Sequence, residues 1–201
     1  RGIEPDTLPS ALDVRMAGSV TAAAEVRGAL DDFELDVDLE ATGAAYRHDS
    51  VDSLRLSLSA GGLPATYGDW IVNGRAHGVT WNDRTFEEVA LGGAMSRRRG
   101  EGTVDVRRRR NERYFATGAF ALDSLGGYVE LADASAQIDD LSWVLSFPSR
   151  IAWTGSSLTV DSLEIARLGA DPARLVAAGT LARGHDSAFR LELEGFHIED
   201  V

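Results

Sequence analysis

Hydrophobic and polar positions alternate along most of this chain. Phe33, Leu35, Val37 and Leu39, for example, are each followed by an acidic residue. A period of two residues predicts a β-strand with one apolar and one solvated face. Similar stretches recur from residue 12 to residue 198 between glycine-rich or polar turns, and no segment combines a helical period with helix caps. If the longer stretches are hairpins, we expect about 14 to 17 strands.

A six-residue phrase occurs five times: apolar, acidic, acidic or Ser, apolar, any residue, apolar. The copies are Leu30–Leu35, Val51–Leu56, Phe86–Leu91, Ile138–Trp143 and Val160–Ile165. The first apolar residue stands three positions before the second, out of phase with a strand, and a bulge at the acidic pair would bring the two to the same side. We therefore expect the acidic pairs at strand entries or bulges, exposed to solvent. The spacing indicates a module of about 18–20 residues, interpreted as two strands of one curving antiparallel sheet.

Composition limits the classes of function. The chain has 201 residues, a net charge of −12 and no cysteine, which excludes disulfides and thiolate metal sites and argues against nucleic acid as a partner. No apolar run approaches the ~18 residues of a membrane helix. We expect residues 1–11 to be a flexible or connecting segment and residues 12–201 to be a single repetitive segment of a longer protein.

Catalytic and metal-binding motifs are missing from the sequence. His48, His77, His185 and His197 are far apart, without a second ligand at metal-binding spacing. No nucleophile elbow, phosphate loop or dinucleotide fingerprint occurs. The sequence therefore predicts a protein that is not an enzyme and that has no cofactor and no metal.

Arginines are concentrated between residues 97 and 113, where eight of them face three acidic residues, a local net charge of +5. One interpretation is a patch for anionic lipid headgroups or an acidic partner protein, and the residues for such a contact are Arg107, Arg108, Arg109 and Arg110. The other is a long hairpin with exposed arginines at both ends. The ordinary alternation at Val104 and Val106 favours the hairpin.

Aromatic residues mark the second half of the chain. Trp143, Leu145 and Phe147 alternate on one face and end at Pro148, and Trp153 follows on what we interpret as the return strand. So much apolar area on one face suits the core of a closed β-sandwich. It equally suits an open apolar wall for a hydrophobic ligand, and the sequence leaves both possibilities open.

Several of these stretches resemble the AsmA-like superfamily, and within it most closely the repeat region of the TamB (translocation and assembly module) family. The stretches are residues 51–58, 143–153, 158–165, 178–181 and 189–195. The last two resemble a family pattern of a small residue, Gly, any residue and Leu, followed by an alternating strand. The membrane anchor and C-terminal signature of full-length members are not found in this sequence, as expected for a segment.

The resemblance implies a long, antiparallel, U-shaped sheet (a β-taco, or open groove) with an apolar inner face. It implies a periplasmic, bridge-like lipid transfer protein, membrane-anchored in its full-length form, that carries phospholipids between the inner and outer membranes. It also implies a role in outer-membrane assembly with an Omp85-type barrel as partner. The alternative is a structural or interaction module, a closed sandwich or solenoid scaffold, that conducts no lipid.

Alternating apolar positions would line such a groove and keep acyl chains out of water without any catalytic group. The groove residues predicted are Phe33, Leu35, Val37, Leu39, Leu54, Leu56, Leu58, Trp143, Leu145, Phe147, Leu191 and Leu193.

Overall fold

The computed structural model describes residues 16–63, 68–184 and 186–196, and these form an all-β protein. Thirteen antiparallel strands make one sheet, 82% of the described residues are strand, and none is helical. The all-β, antiparallel class expected from the alternation is confirmed. The segment 1–11, predicted to be flexible or connecting, lies outside the described residues.

The strands follow one another along the chain and, with one exception, across the sheet. They are β1 (Met16–Ala29), β2 (Asp32–Tyr46), β3 (Asp49–Leu63), β4 (Asp69–Trp81), β5 (Arg84–Ser96), β6 (Arg99–Arg109), β7 (Glu112–Leu122), β8 (Gly126–Ile138), β9 (Leu141–Leu145), β10 (Ser149–Thr154), β11 (Ser157–Leu168), β12 (Ala173–Ala182) and β13 (Ala188–Glu194). The exception is that β9 and β10 both lie between β8 and β11.

The expected number of strands and the expected two-strand module were wrong, because long stretches that we counted as hairpins are single strands. Alternating stretches counted as hairpins, such as 12–27 and 67–79, fall on the single strands β1 and β4. Because these strands carry 13 or 14 residues without a turn, the described residues form 13 strands and not 14 to 17. The recurring module is accordingly one long strand with its turn, not two strands.

Two-residue turns join several of the long strands. Asn82 and Asp83 connect β4 to β5 with φ angles of 49° and 61°, and Arg97 and Arg98 connect β5 to β6 with 48° and 72°. Two successive positive φ angles define the type I′ turn, whose twist matches that of the flanking strands. The Asn82 amide donates a hydrogen bond of 3.0 Å to Asp49 Oδ1, which ties the first of these turns to β3.

The chain divides into two compact units. Unit 1 comprises residues 1–97 and 104–110, and unit 2 comprises residues 98–103 and 111–201. Strand β6 contributes its first half to unit 2 and its second half to unit 1. Apart from that strand, unit 1 contains β1 to β5 and unit 2 contains β7 to β13.

The acidic pairs of the repeated phrase lie where strand pairing begins, ends or is interrupted. The pairs that follow Leu30 and Ile138 are at hairpin turns, and the register of β11 against β12 shifts between Val160 and Leu163, so the expected bulge is confirmed there. Asp52 is instead the fourth residue of β3, between Gly43 and Gly78, both with φ +58°, and the ladder lacks a partner pair at this position. A local break in the ladder takes the place of a bulge at that copy.

The aromatic segment around Pro148 does not turn back on itself. Strands β9 and β10 are both antiparallel to β8, so they run in the same direction and do not pair with each other. Phe147 lies in the gap between them, outside either strand. The predicted return strand was therefore wrong: the segment is one strand position that is broken at Pro148, a residue that cannot donate to the ladder.

Candidate lipid-binding surface

One face of the sheet in unit 1 is apolar over its whole regular part. Four successive rows of directly paired residues cross β1 to β5, five positions to a row, and every side chain in them is hydrophobic or absent. The rows are Val20, Ala41, Leu54, Ala76 and Val89; Ala22, Leu39, Leu56, Gly74 and Leu91; Ala24, Val37, Leu58, Val72 and Gly93; and Val26, Leu35, Ala60, Trp70 and Met95. Directly opposed residues share a face, so these 20 positions form one continuous surface.

The other face of the same five strands is polar. All but five of the 20 positions in the alternate rows carry a polar or charged side chain, the exceptions being Ala23, Ile71, Ala90, Gly92 and Ala94. Cross-strand ion pairs occur on this face, including Arg55 Nε to Glu40 Oε1 at 3.2 Å and Arg75 Nε to Glu88 Oε1 at 3.4 Å. The two faces are therefore sharply different in chemistry.

The apolar rows of unit 1 are not buried like a domain core. Only Ala41 and Met95 among them are buried, while Leu91 is 41% exposed and Val26 is 62% exposed. In the described part of the whole chain, the buried hydrophobic residues are Ala41, Met95, Val160, Ala173 and Ala177. A closed sandwich of this length would bury most of the large side chains of its inner face, so the described rows do not resemble a sealed core.

Gly74 lets two neighbouring leucines on this surface approach each other. A Cβ atom at Gly74 would lie 3.2 Å from Leu91 Cγ and 3.3 Å from Leu56 Cδ1, so the two leucines close over a position that only hydrogen can occupy comfortably. Gly74 is their shared neighbour in the row. The sequence pattern contained this signal, since glycine replaces an apolar residue in an otherwise regular alternation.

Seven of the predicted groove residues lie on this face of unit 1. Leu39 is paired with Leu56 and Val37 with Leu58, while Leu35, Leu54 and Phe33 follow in the same alternation. All seven are half-buried. The structure thus brings together the residues that the sequence singled out here, and it adds Val72, Val89 and Leu91 from the next two strands.

Two surface depressions of unit 1 lie on the polar face. The larger has a volume of about 700 Å³ and is lined mainly by polar-face residues such as Asp38, Glu40, Arg55, Asn73 and Arg75. A smaller one, of about 330 Å³, reaches His77 and Ser53 on the same face. These two depressions are therefore not the predicted apolar groove.

Unit 2 also keeps its apolar positions on one face, although its strands are irregular. An extra residue in β8 shifts the register against β7 between Thr117 and Gly118, and β11 shifts against β12 between Val160 and Leu163. Each bulge changes the phase by one position, so Val160 and Leu163 fall on the same side. Because of these bulges, apolar residues that are out of phase in the sequence still lie on one face of the sheet.

Only some of the predicted groove residues of unit 2 lie on this apolar face. Leu145, Ile165, Leu175 and Leu193 form one cross-strand row, and Leu191 and Trp143 belong to neighbouring rows of the same face. Leu191 and Leu193, on edge strand β13, are 58% and 57% exposed. Phe147 is not part of the pattern, because it lies in the break after β9.

Sequence reasoning missed a buried cation on this same face. Arg167 is 5% exposed, is paired with Trp143 across the ladder, and has its guanidinium 5.7 Å from the centre of the Trp143 ring. Its Nε donates a hydrogen bond of 2.7 Å to the Asp171 carbonyl, and its Nη2 donates one of 3.4 Å to the carbonyl of Gly195. The Trp143 ring also stacks on Phe196 with centroids 5.5 Å apart. The phase change at the bulge puts Arg167 on the apolar side, and the groups that bury it there belong to another strand and to turns.

No family model matches the chain. Comparison with curated proteins and with solved structures finds no match either. The resemblance to the AsmA-like superfamily accordingly stays a prediction that rests on the residues quoted for it. The described residues contain no helix able to cross a membrane and no group of three or more His, Cys, Asp or Glu that could hold a metal ion.

The arginines between residues 97 and 113 are divided between the two ends of β6. Arg97 and Arg98 form the turn before it, and Arg110 lies in the turn after it. Eleven residues of strand separate these ends by about 35 Å. The four arginines proposed to contact headgroups therefore stand together at one end of β6.

The four arginines at that end are not equivalent. Arg107 binds Glu88 Oε2 at 2.9 Å and Glu87 Oε2 at 3.2 Å, so its charge is already matched by β5. Arg108 is half-buried, whereas Arg109 and Arg110 are exposed and form no ion pair with the described residues. Of the predicted set, Arg109 and Arg110 are the most accessible to an anionic partner.

Proposed function

We propose that this chain is a segment of a bridge-like lipid transfer protein, in which the apolar sheet faces hold the acyl chains of phospholipids. The observation that carries the proposal is the apolar face of unit 1, with 20 contiguous positions that lack any polar side chain and are mostly half-exposed. An apolar surface of this size that is not a packed core is typical of a binding site.

The dimensions of the surface suit an acyl chain. Five strands spaced about 4.8 Å apart and four rows about 6.7 Å apart give an apolar area of roughly 19 by 20 Å. An acyl chain in one leaflet covers half of the ~30 Å hydrocarbon core, about 15 Å, so it fits within this area. Each methylene that leaves water contributes about 0.8 kcal/mol, without any need for polar recognition.

Conduction follows from the repetition of the rows. Neighbouring rows offer nearly the same aliphatic contacts, so a bound chain can move between them across small barriers. The proposal requires that the sheet curve towards its apolar face as a U-shaped groove, with headgroups at the open edge. We place this activity in the periplasm, between inner and outer membranes, with an Omp85-type barrel as a candidate partner. Catalysis forms no part of the proposal.

The second candidate is a structural or interaction module without lipid conduction. The observation that favours it is that two depressions of unit 1 lie on its polar face. In that case a partner protein would cover the apolar rows. The two candidates differ in whether purified protein binds phospholipid.

A matched pair of substitutions tests the proposal. Leu56 and Ser57 are adjacent in β3 and lie on opposite faces, the first in the apolar rows and the second in the polar ones. Leu56→Asp places a charge in the path of the acyl chain, where its desolvation costs several kcal/mol, while Ser57→Asp adds the same charge on the solvated side. We expect Leu56→Asp to reduce binding of a fluorescent phospholipid at least tenfold and Ser57→Asp to change it less than twofold.

Circular dichroism and thermal melting of both variants serve as the control for folding. The proposal requires that Leu56→Asp keep near-native secondary structure while it loses lipid. If Leu56→Asp unfolds the protein and the wild type yields no phospholipid on extraction and mass spectrometry, the apolar face is a sealed core and the scaffold candidate replaces the lipid proposal.

A further inference from the structure

In the part of the chain that the structure describes, strand β1 is an edge of the sheet. Within the described residues it pairs with β2 alone, and every residue from Ala17 to Leu30 is exposed. It has 14 residues and contains no proline or lysine. Unprotected edges of this length present a row of free backbone donors and acceptors, which pair readily with another strand.

The sequence of this edge is nearly the same in both directions about Ala23. Residues 17–29 read Ala-Gly-Ser-Val-Thr-Ala-Ala-Ala-Glu-Val-Arg-Gly-Ala, and the only unlike pairs are Ser19 with Arg27 and Thr21 with Glu25. The two glycines have similar backbone conformations, with φ +100° at Gly18 and +111° at Gly28. The strand between them is thus nearly symmetric in sequence, and a glycine of similar φ bounds it at each end.

We propose that β1 pairs with β1 of a second copy of this chain, antiparallel, around a two-fold axis at Ala23. In this register Val20 lies opposite Val26 of the second copy and Ala22 lies opposite its Ala24, so apolar residues meet apolar residues on one face. This is the self-complementary arrangement that a two-fold interface needs.

Charges on the polar face are compatible with the same register. Glu25 lies opposite Thr21 of the second copy and Arg27 lies opposite its Ser19, so no like charges face each other. Within one copy, Arg27 Nη2 binds Glu25 Oε2 at 2.7 Å, and this contact lowers the pKa of Glu25 and raises that of Arg27. Both side chains are therefore charged and mutually satisfied at neutral pH.

The pairing would join two apolar faces edge to edge. The row that contains Val20, Ala41 and Leu54 would continue into Val26 of the second copy, and the other three rows would continue in the same way. The inference does not depend on lipid binding, because it rests on the edge strand alone. A single pair of strands buries little area, so we expect a weak, concentration-dependent dimer.

Introduced cysteines test the register directly, because the native chain contains none. In the proposed dimer, Ala23→Cys places two thiols directly opposite each other, with Cα atoms about 4.5–5.5 Å apart, within the range of a disulfide. Thr21→Cys is the matched control on the same face: its two copies would be offset by four residues, about 13 Å. We expect mild oxidation to link the Ala23→Cys variant at least ten times faster than the Thr21→Cys variant.

Charge substitutions at Ser19 provide a second readout in the Ala23→Cys background. Ser19 faces the neutral Thr42 within its own copy and Arg27 of the second copy. Ser19→Glu should speed cross-linking and Ser19→Arg should slow it, each by about 2-fold to 30-fold, since the pair occurs twice per dimer. Equal cross-linking of the two cysteine variants, or no response to the charge at residue 19, would overturn the proposal in favour of another occupant of this edge.

Discussion

Both units keep their apolar residues on one face of the sheet, but the strands of unit 1 are regular and those of unit 2 are irregular. Unit 1 aligns four apolar rows across β1 to β5 by nearly uninterrupted register, and charged side chains are absent from those rows. Unit 2 reaches a common apolar face only through bulges in β8 and β11 and a break between β9 and β10, and its face includes Arg167. A one-sided sheet therefore does not require regular strands, provided that each irregularity corrects the phase.

The apolar faces of unit 1 and unit 2 suit different roles. Regular rows without charges give unit 1 a uniform surface, which suits a mobile acyl chain. In unit 2 the buried guanidinium of Arg167, with Trp143 and Phe196, fixes one region of the face in place. We expect substitutions on the apolar face to affect binding in unit 1 and stability in unit 2.

The largest expected effect is at Arg167. Arg167→Met removes two hydrogen bonds to backbone carbonyls and leaves those carbonyls without their donor. The free energy of unfolding should fall by about 2–4 kcal/mol, as measured by urea denaturation followed through tryptophan fluorescence. Arg167→Lys should recover only part of this loss, because an ammonium lacks the planar fork of a guanidinium.

The control for this change is Arg190→Met in β13. The Arg190 side chain is 72% exposed and pairs with Glu192, so its removal should cost no more than about 0.5 kcal/mol. If both methionine variants have the same stability, Arg167 does not anchor the apolar face of unit 2.

A smaller effect is expected at the end of β6. Arg109→Ser combined with Arg110→Ser should weaken binding to anionic vesicles about 30-fold at low salt, since each arginine near such a surface contributes about 1 kcal/mol. Added salt should weaken the wild type in the same direction. Arg107→Ser should matter less for vesicles, because Glu87 and Glu88 already match its charge. Equal binding by the wild type and the double variant would leave only the solvated-hairpin interpretation.

The smallest effect, and one of opposite sign, is expected at Ser149 in unit 2. Its side chain is 2% exposed, and its Oγ has no hydrogen-bond partner among the described residues. Ser149→Ala should raise the free energy of unfolding by up to about 1 kcal/mol, because it removes an unsatisfied buried hydroxyl. A loss of stability on chemical denaturation would show that this hydroxyl is bonded in solution.

Sequence periodicity was sufficient for the regular unit and not for the irregular one. The residues predicted in β2 and β3, from Phe33 to Leu58, share one face because two-residue alternation is itself the geometry of a strand. The repeated acidic phrase also indicated the bulge after Val160 correctly. These features depend on neighbours in sequence alone.

Features that depend on which strands pair with each other could not be predicted from the sequence. The continuity of β9 and β10 is set by β8 and β11 on either side, so Pro148 was wrongly taken as a turn. Arg167 was not considered, because its burial depends on Trp143 in a neighbouring strand and on the carbonyls of Asp171 and Gly195. Likewise, strand length decided the number of strands, and the sequence did not distinguish one long strand from a hairpin.

Photo-crosslinking shows directly whether lipid contacts the apolar face of β3 or its polar face. A photoreactive side chain is placed at Leu56 in one variant and at Ser57 in another, and each is irradiated with phospholipid vesicles before intact-mass analysis. We expect phospholipid adducts at position 56 to be at least tenfold more abundant than at position 57. Equal labelling at the two positions, or labelling at position 57 alone, would contradict the lipid proposal.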